Sequence, residues 1–396
     1  MCKGHIFQPT GVNVNIVWFK LGYFRLVRVM KELWVILLIV SFGFLSLEIG
    51  LSTAILEIVA GVIGGNLFDM GSLPWIDFMA NYGILGLMFL AGLELDKEEL
   101  KKHAKHSVLL ASSAYFIPFC VIFAVTLPIF NFDLRQSALV AIALSTTSLA
   151  LLYPILRERG LLNLQIGHVI MAAAMLIDVW SMISLTVIFA AIDYVTISFF
   201  AILVLFMWYT PKLGKWLFSR YRENLAEMEL KFLLLILLTL LFFAERVMVS
   251  EAVLAFMMGF LFSEVLEEHG ALVDKLKGIV FAFFSPIFFF KAGSFMKFSI
   301  MNSTNLILAA VLLPLAFLSK YFSAKIAFKK LRGGESISKF VGIIFNFRLT
   351  FGIVSALFGL KAGIINIETY TAIIIVIIAS ALISSIITRK TEETIQ

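Results

Sequence analysis

Asp178 lies in the stretch MAAAMLIDVWSMISL, deep inside an apolar run and far from the charged loop at Arg159. An ionisable group at bilayer depth costs several kcal/mol unless it is paired or hydrated, so it marks a functional site by default. Aspartate is also too short to snorkel to an interface. The chemistry open to it there is to hold a proton or a small cation. A second polar feature stands in the preceding run, where Ser145, Thr146, Thr147 and Ser148 follow one another in ALSTTSLALLYPIL, ahead of Pro154. Such hydroxyls can bond back to their own helix. Beside a buried carboxylate, they and the carbonyls of an interrupted helix make the oxygen ligands that a hard monovalent cation needs. His and Cys cluster nowhere in the sequence, which argues against a transition metal.

Three cations are candidates for the compensating charge. Lys291 sits among phenylalanines in SPIFFFKAGSFM, and Lys320 lies in PLAFLSKYFSAKIAFKK, toward the end of its run, where snorkelling competes with a buried role. A lysine and an aspartate sharing one cavity can exchange protons near neutral pH, the physical requirement for proton coupling. Arg348, in FNFRLTFGIVSALFG with Asn346, Thr350 and Gly352 nearby, marks an interrupted or water-lined helix. Glu57, in the second run, and Glu245 with Arg246 after the eighth read as structural or interfacial. Glu94, Asp96, Glu98 and Glu99, among lysines, read as a solvated loop.

These residues need a scaffold, and composition names its class. The chain has 396 residues, 61% hydrophobic and 15% charged, with a mean hydropathy of +1.00. That is an integral membrane protein, and it excludes a soluble enzyme, a nucleic-acid-binding domain and a secreted disulfide scaffold. The two cysteines, Cys2 and Cys120, lie in different settings and build neither a disulfide framework nor a metal site. Apolar runs at about 33–50, 51–66, 74–94, 107–130, 137–155, 163–192, 195–213, 231–247, 250–266, 276–296, 303–328, 337–360 and 366–388 give about 13 transmembrane helices. Runs such as LLLILLTLLFF lack the alternation of a β-barrel, so the fold class is all-α. No cofactor is called for.

Basic residues concentrate in alternate loops, after the third run (Lys97, Lys101, Lys102, Lys105), the fifth (Arg157, Arg159), the seventh, the eleventh and the last (Arg389, Lys390). By the positive-inside rule the N-terminus is outside and the C-terminus cytoplasmic. Residues 1–32, with Lys3, Lys20, Arg25, Arg28 and Lys31, break this pattern and read as an N-terminal extension. Its NVNIVWF stretch is too short to span, and Met30 is the expected start of translation. The transmembrane domain then covers 33–390, with a cytoplasmic tail at 391–396.

The membrane part, from about 35 to 388, resembles the monovalent cation:proton antiporter 2 family of Kef-type and NapA-type antiporters. GLMFLAGLELDKEEL is similar to that family's third-helix ending, and ALSTTSLALLYPILRERGLLNLQIGHVIMAAAMLIDV to its fifth and sixth helices. SEAVLAFMMGFLFSE, FFSPIFFFKAGS and FRLTFGIVSALFGLKAGII add matches in the same order. The resemblance implies an inverted-repeat fold with two crossed broken helices. A core bundle (about 74–192 and 303–388) would move like an elevator against interface helices (about 33–66 and 195–296) in a homodimer in the cell membrane.

It also implies roles. Asp178 takes the place of the ion- and proton-binding aspartate, while Thr147 and Ser148 take the polar break, with Ser145 beside them. Lys320 matches the eleventh-helix lysine, and Arg348 the arginine of an Arg-Gly-Glu signature. The sequence departs at Ile177, where relatives carry a polar partner for that lysine, at Leu349 and Thr350, which remove the signature glutamate, and at Lys291. The expected function is exchange of Na⁺ or Li⁺ for H⁺ by competition at Asp178, with Thr147 as a further Na⁺ ligand. Lys320, Lys291 and Arg348 compensate charge. The partners are these ions and the bilayer, with no nucleic acid. The rivals are a Kef-type K⁺/H⁺ exchanger, a transport-inactive cation sensor and an intramembrane enzyme, the last lacking paired carboxylates, a His–Glu motif or a Ser/Lys dyad.

Overall fold

The computed structural model describes residues 14–390 apart from 69, 71–72, 95–103, 162–163, 190–193, 222–226, 248–249 and 332–333. Lys3, the loop residues Asp96, Lys97, Glu98, Glu99, Lys101 and Lys102, and the tail 391–396 lie outside the described residues. Helix is the regular structure found among those described. Each apolar run of the sequence is present as a helix or a helix pair. The first ten are α1 (Val14–Ile49), α2 (Thr53–Leu67), α3 (Pro74–Leu93), α4 (Ala104–Ile129), α5 (Leu134–Ser145), α6 (Leu149–Glu158), α7 (Gln165–Phe189), α8 (Tyr194–Arg220), α9 (Met228–Val247) and α10 (Glu251–Glu267). Then come α11 (Gly270–Ile279), a π-helical turn (Val280–Phe284), α12 (Ser285–Ser294), α13 (Ser303–Lys330), α14 (Glu335–Ile344), α15 (Leu349–Lys361) and α16 (Ile367–Lys390).

Eight stretches among the described residues are long and apolar enough to cross a membrane by length and composition. The expectation of about 13 spans counts helices that fall short of this measure. α2 and α5 are short apolar helices, and the run at 137–155 is divided between α5 and α6. Residues Val14 to Met30 fall within the expected N-terminal extension. They are the first half of α1, which runs without interruption into the span Met30–Ile49. Gly22 is the only helix breaker between Val14 and Met30, too weak alone to stop the helix. α1 ends at Gly50, whose φ of +65° is the left-handed cap that glycine adopts at least cost.

Two bundles meet along the molecule. In one, α2 packs on α12 and α3 packs on both α10 and α12. Lipid tails are as apolar as leucine, so helices in a bilayer associate through close packing rather than through hydrophobic burial. Here glycines provide it. A β-carbon on Gly61 of α2 would fall on the carbonyl of Phe290, and one on Gly293 of α12 on the carbonyl of Ile58. Gly92 and Gly259 stand in the same relation across α3 and α10, against the carbonyls of Phe256 and Phe89. In the second bundle α4 packs on α5, α7 and α13, α15 packs on α5, and α16 lies against α13, α14 and α15. α3, which the expected division counts with the core bundle, packs along the glycine-lined helices.

Candidate ion-binding site at the helix breaks

α5 starts on a capping box, with the backbone N–H of Gln136 donating to Asp133 Oδ1 at 2.7 Å and that of Asp133 to Gln136 Oε1 at 3.3 Å. It stops at Ser145. Thr146 and Ser148 are extended (ψ 168° and 111°), and α6 resumes at Leu149. Hydroxyl and β-branched side chains in succession weaken helix by competing for backbone groups, and Thr146 Oγ1 does so, donating to the Ala143 carbonyl at 3.3 Å. The second break lies between α14 and α15, at Phe345, Asn346, Phe347 and Arg348.

The two breaks bond to one another. The Ser148 N–H donates to the Phe347 carbonyl at 2.5 Å, and Thr147 Oγ1 donates to the Phe345 carbonyl at 3.1 Å. The hydroxyls of Ser148 and Thr350 lie 2.9 Å apart, and Gly352 lets α15 come close to the Ala143 carbonyl of α5. Carbonyls freed by the second interruption are thus taken up by donors of the first, as a bilayer requires of any irregular backbone.

Lys320, in mid-helix on α13 and fully buried, donates to the carbonyls of Ser145 and, at 2.7 Å, Thr146. It does not snorkel, because its ammonium sits on the orphan carbonyls and negative dipole end of α5. This supplies the partner that Ile177 cannot. Arg348, also fully buried, ties the second break to α13. Its Nη2 donates to Asn346 Oδ1 at 2.5 Å and to the Ala316 carbonyl at 3.2 Å, while Asn346 Nδ2 anchors to the Gly342 carbonyl at 2.9 Å.

Asp178, on α7, is buried beside this crossing and interacts electrostatically with Lys320 without reaching ion-pair distance. Its Oδ1 is sealed from solvent with no hydrogen-bond partner, and so is the hydroxyl of Ser145. These are oxygens with free lone pairs. Thr147, whose hydroxyl hydrogen goes to Phe345, also keeps lone pairs for a ligand. The described groups here amount to two cations, one carboxylate and a set of hydroxyl and carbonyl oxygens.

Lys291 goes elsewhere. Its ammonium is 2.7 Å from Asp77 Oδ1 at the start of α3 and lies 4.6 Å from the centre of the Phe295 ring, within the glycine-lined bundle. Thr350, read from sequence as one mark of an interrupted helix and as the loss of a glutamate, is the hydroxyl partner of Ser148 across the breaks. Its spacing from Arg348 in an interrupted helix was the available signal.

A family model described as "Sodium/hydrogen exchanger, transmembrane" matches residues 34–391. A protein of Methanocaldococcus jannaschii named "Probable Na(+)/H(+) antiporter 3" is 27% identical over 352 residues, covering 85% of this chain and 89% of that one. The "Na(+)/H(+)-K(+) antiporter GerN" of Bacillus cereus is 26% identical over 361 residues, covering 86% and 90%. Among solved structures, the sodium proton antiporter MjNhaP1 of M. jannaschii at pH 8 shares the fold, with a TM-score of 0.64 at 14% identity over 95% of this chain and 97% of that one. The interrupted, mutually bonded helices described above belong to a chain that is a member of the sodium/hydrogen exchanger family.

Proposed function

We propose that this protein exchanges a monovalent cation, Na⁺ or Li⁺, for H⁺ across the membrane by competition at Asp178. The observation that carries this reading is a buried aspartate with an unpartnered carboxylate oxygen beside the meeting of two broken helices. Either ligand neutralises the carboxylate. A proton bound from the acidic side displaces the cation, and loss of that proton on the other side frees Oδ1 for the next cation. The hydroxyls of Ser145, Thr147 and Ser148 and water complete an oxygen shell of the kind hard cations take. Exchange is obligatory because an unneutralised charge carried past an apolar barrier costs several kcal/mol. With Lys320 held by the α5 carbonyls, one cation per proton is the simplest stoichiometry.

Alternating access comes from the bundle of broken helices sliding against the glycine-lined bundle, the elevator motion expected from the resemblance, in a homodimer. Counted by the basic loops, the N-terminus is outside and the C-terminus cytoplasmic. The narrower assignment to the cation:proton antiporter 2 group rests on residue motifs alone; the matches found are to the broader family. A second reading, K⁺ in place of Na⁺, is favoured by the likeness to an antiporter named for both ions.

Proton flux in proteoliposomes carrying an internal pH dye, after addition of Na⁺, Li⁺ or K⁺, tests both readings. A cation-dependent pH change that Asp178→Asn abolishes supports exchange and ranks the ions. Full flux in that variant, or none in the folded wild-type protein, ends it.

A further inference from the structure

A cavity of about 170 Å³ lies where the two bundles meet, large enough for several water molecules. From the glycine-lined side it takes Ser52, Thr53 and Glu57 of α2 and its approach, and Ser285 of α12. From the other side it takes Ser148 and Thr350, the hydroxyl pair that joins the two breaks. Glu57 is 7% exposed, and no cation or hydrogen-bond donor among the described residues contacts its carboxylate. An unpaired carboxylate at this depth costs several kcal/mol unless water or a cation reaches it.

A role confined to α2 does not account for Glu57. It stands five positions beyond Ser52, the residue preceding the helix, and so lies past the first turn, where carboxylates serve a helix's own N–H groups. Another feature points to the same place. The helix that walls the cavity departs from α geometry there, through the π turn Val280–Phe284 directly before Ser285, and Phe281 of that turn lines the cavity. Such turns are concentrated at functional sites because they re-aim side chains and backbone groups.

We infer that Glu57, with the hydroxyls facing it, forms a second, outer cation site: a stationary carboxylate that takes a monovalent cation with part of its water shell and delivers it to the Ser148–Thr350 pair. This rests on the exchange reading and adds to it. Asp178 rides on the bundle of broken helices, whereas Glu57 is fixed to α2, which the Gly61, Gly64 and Gly65 contacts hold against α12. A cation captured at Glu57 therefore lies beside the opening between the bundles before it meets the deeper carboxylate. The chemistry is that of hard-ion recognition by oxygen alone.

The test pairs a binding readout with a kinetic one on the full chain. Thallous ion, an anomalous scatterer that stands in for monovalent cations, is added to crystals of wild type, Glu57→Gln and Asp178→Asn. Density beside Glu57 is expected in wild type and in Asp178→Asn, and its loss in Glu57→Gln. In proteoliposomes, Glu57→Gln is expected to raise the Na⁺ concentration for half-maximal flux about tenfold, the worth of one charge-assisted contact, with a much smaller fall in maximal rate. Glu57→Asp restores most of the affinity. Absence of thallous density beside Glu57 in wild type overturns the inference without any variant, and so does an unchanged half-maximal concentration in Glu57→Gln. Density at Glu57 in a protein that moves no cation would instead leave this site standing and end the exchange reading.

Discussion

The two bundles solve the problem of packing helices in a bilayer with different means. In α2, α3, α10 and α12 the helices touch backbone to backbone through Gly61, Gly92, Gly259 and Gly293, and each glycine Cα occupies space that no side chain could share. In α5, α13, α14 and α15 glycine contacts, such as Gly352 on the Ala143 carbonyl, are joined by polar groups that reach carbonyls across interrupted helices. The first arrangement has no second packing within reach, because a small shift drives backbone into backbone. The second is held by hydrogen bonds to a few freed carbonyls, which can be exchanged for others. In the proposed exchange the glycine-lined side is the fixed bundle, and the broken helices are the ones that move and bind ions.

The largest effect that would break this contrast comes from a glycine. Gly293→Val should destabilise the protein by about 3 kcal/mol or abolish its accumulation, because its side chain meets the Ile58 carbonyl. Size-exclusion profiles of detergent extracts over a temperature series measure this. A well-folded variant would show that the bundle is not locked. Asp178→Asn should have the opposite profile, with flux reduced to background and a Tm equal to or above that of wild type, since it removes an unpaired buried carboxylate.

Lys320→Met keeps much of the side chain's volume and leaves the Ser145 and Thr146 carbonyls without their donor. It should cost about 2 kcal/mol in thermal unfolding and also disable exchange. Tyr370→Phe removes a 2.8 Å bond from the α16 phenol to the Ala292 carbonyl of α12, one of the ties between the bundles. Its expected cost is about 1 kcal/mol of stability, with a faster exchange rate if that tie opens in the slow step. Stopped-flow pH traces at saturating Na⁺ measure the rate, and a slower variant would mean that the bond guides the motion. Glu335→Gln, at the exposed Lys325 and Lys329 pairs where α14 begins, is the smallest perturbation and should leave flux unchanged.

Much of the site could be read along the chain because its cost is local. Asp178, Lys320 and Arg348 stand out as charges inside apolar runs, and Ser145 to Ser148 as a hydroxyl series inside one, whatever surrounds them. The same local logic failed for Lys291. Its apolar neighbours in sequence mark a buried lysine, but not that its partner is the exposed Asp77 rather than Asp178. It also undervalued Glu57 and Thr350, whose meaning depends on residues more than 200 positions away, as in the Ser148–Thr350 pair. α1 extends beyond the apolar run legible in the sequence because a helix can continue past the bilayer boundary that hydropathy detects.

The sequence by itself determined that this is an all-helical membrane protein, where its apolar runs lie and which charges are stranded in them, because transfer from water to hydrocarbon is an additive property of residues. Tertiary structure alone decided that Lys320 answers the carbonyls of α5, that donors of the first break answer carbonyls of the second, and that Glu57 faces them across a cavity. Hydrogen bonds, ion pairs and the close approach of glycines depend on distances between segments remote in sequence, and those distances exist only once the helices have packed.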